Sequence, residues 1–255
     1  MRSVSDRTVH YGVRKFNFKD QIVFENDNYI AISKPAGVSS LHERLGLANS
    51  VIEQAKKYDQ NLQLCHRLDK ETSGVLLLSK HTKAYANAAV AFEKRQVTKV
   101  YHAISDGLHS VTDMVIDLPL ITTRSGRSAI NKQKGKPSKT VVNSIEHFGH
   151  FTLMECRPES GRQHQIRIHL ASQNASIAAD EVYGGKIPFL SRFKRGFTSN
   201  KREEERPMIE RFALHAYSLA LQDIDGTLLE IVADYPKDFG VFIKLLRKYD
   251  KASGF

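Results

Sequence analysis

The chain has 255 residues, of which 41% are hydrophobic and 26% charged, a composition that excludes a disordered or fibrous protein. It carries 38 Lys and Arg against 28 Asp and Glu, which gives a formal net charge of +10. Such an excess of positive charge attracts polyanions, so nucleic acid is an expected partner, and a basic protein without a polyanionic partner is the alternative. No apolar run in the sequence is long enough to span a bilayer.

The two cysteines, Cys65 and Cys156, do not form a CxxC pair, so the spacing of a zinc ribbon is absent from the sequence. We expect two reduced thiols in a reducing compartment. The first sixteen residues contain no apolar segment of the kind found in secretory signals. Together these features favour a cytoplasmic protein.

Residues 1–21 are polar and basic and are expected to form a loose arm. Ile22–Lys34 is expected to form two short strands around a turn at Asn26–Asn28. Lys34–Gly37 (KPAG) then ends the second strand, because proline offers no donor to a strand ladder and glycine permits a turn.

The apolar run Val75–Ser79 predicts a buried strand, and Thr82 is expected to cap the helix that follows. The core face of this helix is predicted from residues at helical spacing, namely Tyr85, Ala88, Ala89 and Phe92. Thr98–Ser105 is a further predicted strand, whose two faces alternate: Lys99, Tyr101 and Ala103 on one, Val100, His102 and Ile104 on the other.

Two hairpins and a helix are predicted in the remainder of the chain. Thr140–Pro158 is expected to form two strands around Gly149, and Leu214–Pro236 two more around Asp225-Gly226. The terminal helix is indicated by apolar residues at helical spacing, Phe239, Phe242, Ile243 and Leu246. This order of elements favours an α+β fold with a central mixed, largely antiparallel sheet. The basic stretch Phe189–Arg211 is expected to be an exposed loop, either solvated or in contact with RNA.

Two polar segments are candidates for chemistry. Cys65–Gly74 leads straight into a buried strand, which provides rigid support for a catalytic Asp69; a solvated polar turn is the alternative. Gly161–Leu170 (GRQHQIRIHL) is expected to start a helix near Gln163. Arg167 would flank the buried face of this helix, or lie on a solvated surface with the other basic side chains.

Other site chemistries are less well supported by the spacing. His164 and His169 are five residues apart, which does not place them on one helical face as in HExxH, and no carboxylate lies between them. No metal site is therefore expected. A glycosidase-like carboxylate pair of Asp69 and Glu71 needs a defined separation that a sequence cannot supply.

Several segments, in order, resemble the motifs of the RluA family of pseudouridine synthases. HRLDKETSG at His66–Gly74 is similar to the family's HRLDxxTSG signature, and GRQHQIRIHL to its GRxHQIRxHL motif. Shorter matches are KPAG at Lys34–Gly37, KVYHA at Lys99–Ala103, DEVYGG at Asp180–Gly185 and LHA at Leu214–Ala216. The resemblance covers nearly all of the chain from Ile22 onward.

The resemblance implies a pseudouridine synthase fold with a basic cleft, acting on ribosomal or transfer RNA. It implies that Asp69 is the catalytic aspartate, that Arg167 pairs with it, and that Tyr101 handles a proton or packs in the site. Arg67, which would fill the space left by an extruded base, Thr72 and Arg162 are expected to contact substrate. The isomerisation is redox-neutral and hydrolyses nothing, so no cofactor is expected.

One departure from the family pattern is Ala178-Ala179-Asp180, where a glycine is expected before the aspartate. The stretch before Ile22 is shorter than the S4 RNA-binding domain of some relatives, so residues 22–255 are expected to be the catalytic domain, without an S4 domain. A monomer is expected. A non-catalytic RNA-binding module or chaperone on the same fold is the main alternative. A metal- or carboxylate-dependent hydrolase is the second.

Overall fold

The computed structural model describes residues 16–42, 50–123, 126–194, 196–197 and 204–251. Within these ranges the strands β1 to β12 are Ile22–Glu25, Tyr29–Lys34, Gln63–Leu64, Ser73–Ser79, Thr98–Asp106, Met114–Asp117, Leu120–Thr122, Ser128–Ile130, Lys139–His147, Phe151–Pro158, Leu214–Gln222 and Leu228–Val232. The helices α1 to α4 are Val51–Tyr58, Thr82–Glu93, Gln165–Ser172 and Lys237–Tyr249.

A mixed sheet organises the described residues. Its main path runs β1-β2-β4-β11-β5-β10-β9-β6, with β12 beside β11 and β3 beside β4, while β7 and β8 form a separate hairpin. Of these pairings, β4 with β11 is parallel and the others are antiparallel. The predicted α+β class and the mixed, largely antiparallel sheet are therefore confirmed.

The strand β11 lies between β4 and β5, although β4 and β5 are close together in sequence. It meets β4 through two register pairs, Ser73 with His215 and Gly74 with Ala216. Gly74 has a φ of +114°, and a Cβ at this position would lie 2.1 Å from the Ala216 carbonyl oxygen. Only glycine allows the two backbones to approach this closely.

Each face of the sheet carries its own core. Alternate residues of β4 serve both faces, since Leu76 and Leu78 pack with Val51 of α1 whereas Val75 and Leu77 pack with the alanines of α2. A third cluster packs β10, α3 and α4 together. Tyr101 of β5 contacts this third cluster and the α1 cluster, so it lies where the two meet.

The predicted hairpins and terminal helix are confirmed. Strands β1 and β2, β9 and β10, and β11 and β12 pair as expected. In α4 the four apolar residues at helical spacing are all buried: Phe239, Phe242, Ile243 and Leu246.

Helix α2 differs from the sequence prediction in its cap and its buried face. His81, not Thr82, is the N-cap, because its Nδ1 accepts from the Ala84 N–H at 3.3 Å. Tyr85 and Ala89 are exposed, and the buried residues are Ala84 and Ala88. Small side chains on this face let the helix approach the sheet more closely than a tyrosine would allow.

Two segments expected to be loose are partly packed. Residues 1–15 of the expected arm lie outside the described residues, but Phe16 and Phe18 are buried, with the Phe18 ring 5.4 Å from that of Tyr58. In the Phe189–Arg211 stretch, residues 195 and 198–203 lie outside the described part. The end of this stretch is not an exposed loop, because Ile209 and Arg211 are buried in the core region.

Candidate active site

Asp69 lies in the turn between β3 and β4, and both of its chain neighbours are held by hydrogen bonds. The Ser40 hydroxyl accepts from the Leu68 N–H at 3.1 Å and donates to the Leu68 carbonyl at 2.9 Å. The Lys70 carbonyl accepts from the Gly37 N–H at 2.9 Å. Because both flanking residues are fixed, the backbone of Asp69 is positioned before any substrate binds.

Lys34 supports the same turn from inside the protein. Its side chain is fully buried, and Nζ donates to three carbonyl oxygens, those of Pro35 at 2.9 Å, Val38 at 2.8 Å and Lys70 at 2.9 Å. Burial lowers the pKa of Lys34 to about 7, although the charge of Glu71 acts in the opposite direction. Lys34 therefore links the KPAG turn to the turn that carries Asp69.

A cleft of about 580 Å³ opens over this turn, a size typical of sites for small organic groups. All six residues singled out from the sequence line this cleft: Arg67, Asp69, Thr72, Tyr101, Arg162 and Arg167. They come from the β3–β4 turn, β5, the loop after β10 and α3. The structure thus brings together side chains that are separated by about 100 positions in the sequence.

Arg167 faces Asp69, as expected, but its closer contacts are with a different carboxylate, that of Asp180. Arg167 Nη1 lies 3.9 Å from Asp69 Oδ2, which is too long for a hydrogen bond. The main partner of the guanidinium is Asp180, which it contacts through Nε and Nη2 at 2.7 Å each. Asp180 is 1% exposed, whereas the Asp69 side chain is 22% exposed. Asp180 therefore orients the arginine, and Nη1 faces the carboxylate that is open to the cleft.

Aromatic rings also fix the position of Arg167. Its Cζ lies 4.1 Å from the centroid of the Phe212 ring and 4.9 Å from that of Tyr183. Such contacts hold a guanidinium flat and desolvated without using its donors. The guanidinium, which lines the cleft, is therefore held by two aromatic rings as well as by Asp180.

His164, considered above only as a possible metal ligand, is a second neighbour of Asp69. Its Nε2 lies 4.0 Å from Asp69 Oδ2, and its Nδ1 is 2.9 Å from the Tyr183 hydroxyl. Burial lowers the pKa of His164, and the charge of Asp69 acts in the opposite direction. The neutral imidazole is favoured, so one ring nitrogen can accept a hydrogen bond within the cleft.

Tyr101 faces the cleft from β5. Burial, and then the negative charge of Asp69, raise the pKa of Tyr101 far above its usual value near 10. Among the described residues, its hydroxyl makes no hydrogen bond. The phenol therefore stays protonated in the free protein, and its hydroxyl is available to a ligand.

The loop after β10 is positioned by Gln165 at the start of α3. Its Oε1 accepts from the Ser160 hydroxyl at 2.7 Å and from the Arg162 N–H at 3.1 Å. Its Nε2 donates to the Lys139 carbonyl at 2.9 Å and to the Thr140 hydroxyl at 3.0 Å. The helix was expected near Gln163 and starts two residues later.

The departure at Ala179 has a structural consequence. Ala179 adopts a φ of +62°, the left-handed region in which glycine is favoured. An L-residue in this region is less stable by about 1–2 kcal/mol. Ala179 directly precedes Asp180, so this left-handed conformation is part of the turn that brings the Asp180 carboxylate to Arg167.

The other chemistries considered from the sequence gain no support. In the described parts of the chain, no group of three or more His, Cys, Asp and Glu side chains is arranged to hold a metal ion. His169 instead contacts the Thr140 hydroxyl at 2.9 Å and the Leu118 carbonyl at 3.0 Å. Glu71 does not line the cleft in the described structure, unlike Asp69. None of the described helices combines the length and apolar character needed to cross a membrane.

The polar residues that support Asp69 and Arg167 were missed as functional residues. Asp180 lies in the DEVYGG motif and His164 in the GRQHQIR motif, so the motifs themselves were the available signal. Ser40 lies in no motif that was recognised. Its role depends on a contact across 28 residues, which a local pattern does not reveal.

With this geometry established, the fold and the site define a pseudouridine synthase. A family model described as RNA pseudouridylate synthase matches residues 28–172. The chain belongs to this family, and the resemblance to its RluA branch is confirmed. Enzymes of this family isomerise uridine to pseudouridine in RNA.

Individual relatives agree with this assignment. The chain is 31% identical over 240 residues to the ribosomal large subunit pseudouridine synthase D of Haemophilus ducreyi, which covers 91% of this chain and 72% of that protein. It is 33% identical to an uncharacterized RNA pseudouridine synthase of Chlorobaculum parvum, over 91% of this chain and 76% of that protein. The solved structure of human RNA pseudouridylate synthase domain containing 4 has a TM-score of 0.70 at 25% identity, covering 90% of this chain and 94% of that one.

Proposed function

We propose that this protein converts specific uridines of ribosomal RNA to pseudouridine, with Asp69 as the catalytic carboxylate. The observation that carries the proposal is the placement of Asp69: it is fixed by its neighbours, partly exposed in a cleft, and faced by Arg167 at 3.9 Å. The choice of ribosomal RNA rests on the names of the relatives, such as the synthase D of Haemophilus ducreyi. Transfer RNA, the monomeric state and the cytoplasmic location stay predictions.

The isomerisation breaks the N1–C1′ bond of uridine and forms a C5–C1′ bond. The proton lost from C5 is balanced by the proton gained at N1, so no oxidant or reductant is needed. A carboxylate can begin this reaction at the sugar carbon, at the base or at a sugar proton, and Asp69 is open to all three. Arg167 places a fixed positive charge beside the carboxylate throughout, without reorganisation during the reaction.

Tyr101 and His164 supply the other proton-handling groups of the proposed site. A protonated Tyr101 can donate a hydrogen bond to the detached base and pack against its ring, which helps to retain the base while it rotates. Neutral His164 can accept or donate near the same carboxylate. Retention matters because loss of the base would convert the isomerisation into a hydrolysis.

Access to the cleft requires the uridine to leave its stack, at a cost of a few kcal/mol. Arg67 is exposed at the cleft and precedes Asp69 by two residues. A guanidinium stacks on bases and contacts phosphate, so Arg67 suits the space that the extruded base leaves. Thr72 and Arg162, which line the same cleft, are proposed as substrate contacts.

The decisive experiment maps pseudouridines in ribosomal RNA from cells with the gene, without it, and with the Asp69→Asn variant. The proposal expects at least one site to be unmodified in both altered strains, while purified Asp69→Asn protein still binds RNA. A non-catalytic RNA-binding module predicts an unchanged pseudouridine map. A hydrolase predicts free uracil or cleaved RNA in a reaction with the purified enzyme.

A further inference from the structure

The cleft extends beyond Asp69 towards the start of β5. Lys99 and Tyr101 lie on the same face of β5, two residues apart, which corresponds to about 7 Å along a strand. This length is comparable to the spacing of successive phosphates in an extended RNA strand. The extension is lined by residues of the β3–β4 turn, the end of α2 and β5: Cys65, His66, Phe92, Glu93, Arg95 and Lys99.

Two cations face this extension without a carboxylate partner. Among the described residues, neither Arg95 nor Lys99 takes part in an ion pair within 4.0 Å. Burial, and then the charge of Arg95, lower the pKa of Lys99 to about 8. Lys99 is partly buried and Arg95 is exposed. A like charge beside a partly desolvated cation is unfavourable unless an anion joins the two. The free protein therefore bears a cost that a bound anion would remove.

Lys99 is also held in place. Its Nζ donates one hydrogen bond to the Ser160 carbonyl at 3.0 Å, which leaves two N–H donors for a ligand. His66, beside it, adds no charge, because burial and then Lys99 lower the pKa of this histidine to about 3. His66 Nε2 instead accepts from the Leu77 N–H at 3.0 Å, and its ring packs 5.2 Å from that of Phe92.

One carboxylate, that of Glu93, lines the same extension. Glu93 is exposed, as Arg95 is, so solvent screens its charge more strongly than that of the partly buried Lys99. Glu93 is within ion-pair distance of neither Arg95 nor Lys99 in the described structure. The net charge of the extension is therefore positive.

We propose that Arg95 and Lys99 form a phosphate site that binds the RNA backbone one nucleotide away from the target uridine. The proposal rests on the RNA substrate proposed above and adds a second point of attachment within the cleft. Phosphate is favoured over a carboxylate ligand because the family acts on RNA, and because both cations line the same cleft as Asp69. Such a contact fixes the register of the RNA without reading its sequence.

The test is the salt dependence of RNA binding by the double variant Arg95→Gln/Lys99→Met. The probe is a short fluorescein-labelled oligouridylate, and fluorescence anisotropy is recorded at several salt concentrations. Loss of one phosphate contact lowers the slope of log K against log salt concentration by about 0.7 for single-stranded RNA. At low salt we expect binding to weaken roughly tenfold.

The matched control is Lys237→Met/Lys244→Gln on α4, which removes the same charge from exposed positions outside the cleft. It is expected to keep the wild-type slope. Arg95→Lys/Lys99→Arg keeps both charges and should also retain the slope. The single variant Glu93→Gln should tighten binding, because it removes a negative charge from the proposed site. An unfolded Arg95→Gln/Lys99→Met protein would be recognised by its melting curve, and Arg95→Gln alone would then carry the test.

Kinetics with ribosomal RNA from a strain lacking the gene separate this proposal from the general one. If the site binds phosphate equally in the ground and transition states, KM rises and kcat changes little in Arg95→Gln/Lys99→Met. An unchanged slope and KM would overturn the phosphate site while leaving the synthase activity intact. If the wild-type protein forms no pseudouridine but the slope is still lower in the double variant, the phosphate site stands and the proposed function is overturned.

Discussion

Arg167 makes its close contacts with Asp180, at 2.7 Å, and stands 3.9 Å from Asp69. The arginine is therefore anchored by the buried carboxylate of Asp180, and its Nη1 faces the partly exposed carboxylate of Asp69. This arrangement separates the anchoring of the positive charge from its use in the site. We therefore expect Asp180 to affect activity through Arg167.

Asp180→Asn is predicted to reduce both stability and activity. The substitution leaves a buried guanidinium without its bidentate partner, at an expected cost of about 3 kcal/mol in the free energy of unfolding. We expect Arg167 to turn towards Asp69 and kcat to fall by at least tenfold, as about 1.4 kcal/mol corresponds to each tenfold change. Urea unfolding and single-turnover kinetics measure the two effects. Asp27→Asn, at an exposed turn, is the control and should change neither.

Lys34 is predicted to make stability depend on pH. Its pKa is about 7 in the folded protein against 10.5 for an unperturbed lysine, so between these values the unfolded state binds more protons. The free energy of unfolding contributed by this group therefore rises as pH increases from about 7 to 10, by up to about 1.4 kcal/mol per unit. Below pH 7 both states are protonated and the contribution is constant.

Comparison with Lys34→Met tests this dependence. The difference in unfolding free energy between wild type and variant should grow across the same pH range, measured by urea unfolding. Lys57→Met, on the exposed side of α1, is the control and should give a constant difference. A constant difference for Lys34→Met as well would contradict the prediction.

Gly74→Ala is predicted to disrupt the parallel contact of β4 with β11. A Cβ would lie 2.1 Å from the Ala216 carbonyl oxygen, and the φ of +114° is strained for alanine. We expect a loss of about 3 kcal/mol or more, as for other severe backbone conflicts. Gly240→Ala in α4 is the matched control, because its nearest neighbour is 3.9 Å away. It should be neutral or more stable by up to about 1 kcal/mol, and thermal unfolding compares the two.

Arg211 is predicted to be far more important for stability than Arg247, although each pairs with a carboxylate at 2.7 Å. The Arg211 side chain is 4% exposed and also donates to the Glu71 carbonyl and the Ser73 hydroxyl at 3.1 Å each. Arg211→Met should cost about 3 kcal/mol or more, because it leaves buried acceptors unpaired. Arg247→Met, with a 58% exposed side chain, should cost under about 1 kcal/mol.

Hydrogen exchange provides a second measurement for Arg211. Its contacts lie directly behind the turn that carries Asp69, so Arg211→Met should speed amide exchange at Thr72 and Ser73. Arg247→Met should leave exchange there at the wild-type rate. Equal protection in the two variants would mean that Arg211 does not hold the turn.

Ala179→Gly is predicted to stabilise the protein. Ala179 has a φ of +62°, and glycine relieves about 1 kcal/mol of this strain, less the contacts of the lost methyl group. Ala178→Gly, at a buried neighbour outside the left-handed region, should instead destabilise the protein by about 1 kcal/mol. Thermal unfolding of the two variants gives opposite shifts if the strain at Ala179 is real.

Much of the fold could be predicted from local patterns. Turn signals such as Asp225-Gly226 and apolar spacing such as that of α4 are short-range features, and the elements they indicate are present. The prediction of the buried face of α2 was wrong because Tyr85 and Ala84 both fit helical spacing. Packing against the sheet decides which of the two is buried. The order of strands also depends on long-range pairing that periodicity does not encode.

The site was partly predictable for a related reason. Motif resemblance indicated Asp69, Tyr101 and Arg167, and the structure brings them to one cleft. Resemblance did not indicate that Asp180 is a closer partner of Arg167 than Asp69 is, because Asp180 reaches the guanidinium from a separate loop. The three acceptors of Lys34 could not be predicted either, since they are backbone carbonyls, which have no sequence signature.

The position of β11 between β4 and β5 has a consequence for synthesis of the chain. Asp69 precedes β4, and Tyr101 lies on β5. Both residues are synthesised before β11, which lies between these two strands and begins at Leu214. Until then, β5 has an unpaired edge and β4 lacks its partner at Ser73 and Gly74, and such edges are open to incorrect pairing with other chains. The proposed catalytic centre therefore cannot close until synthesis has passed Leu214.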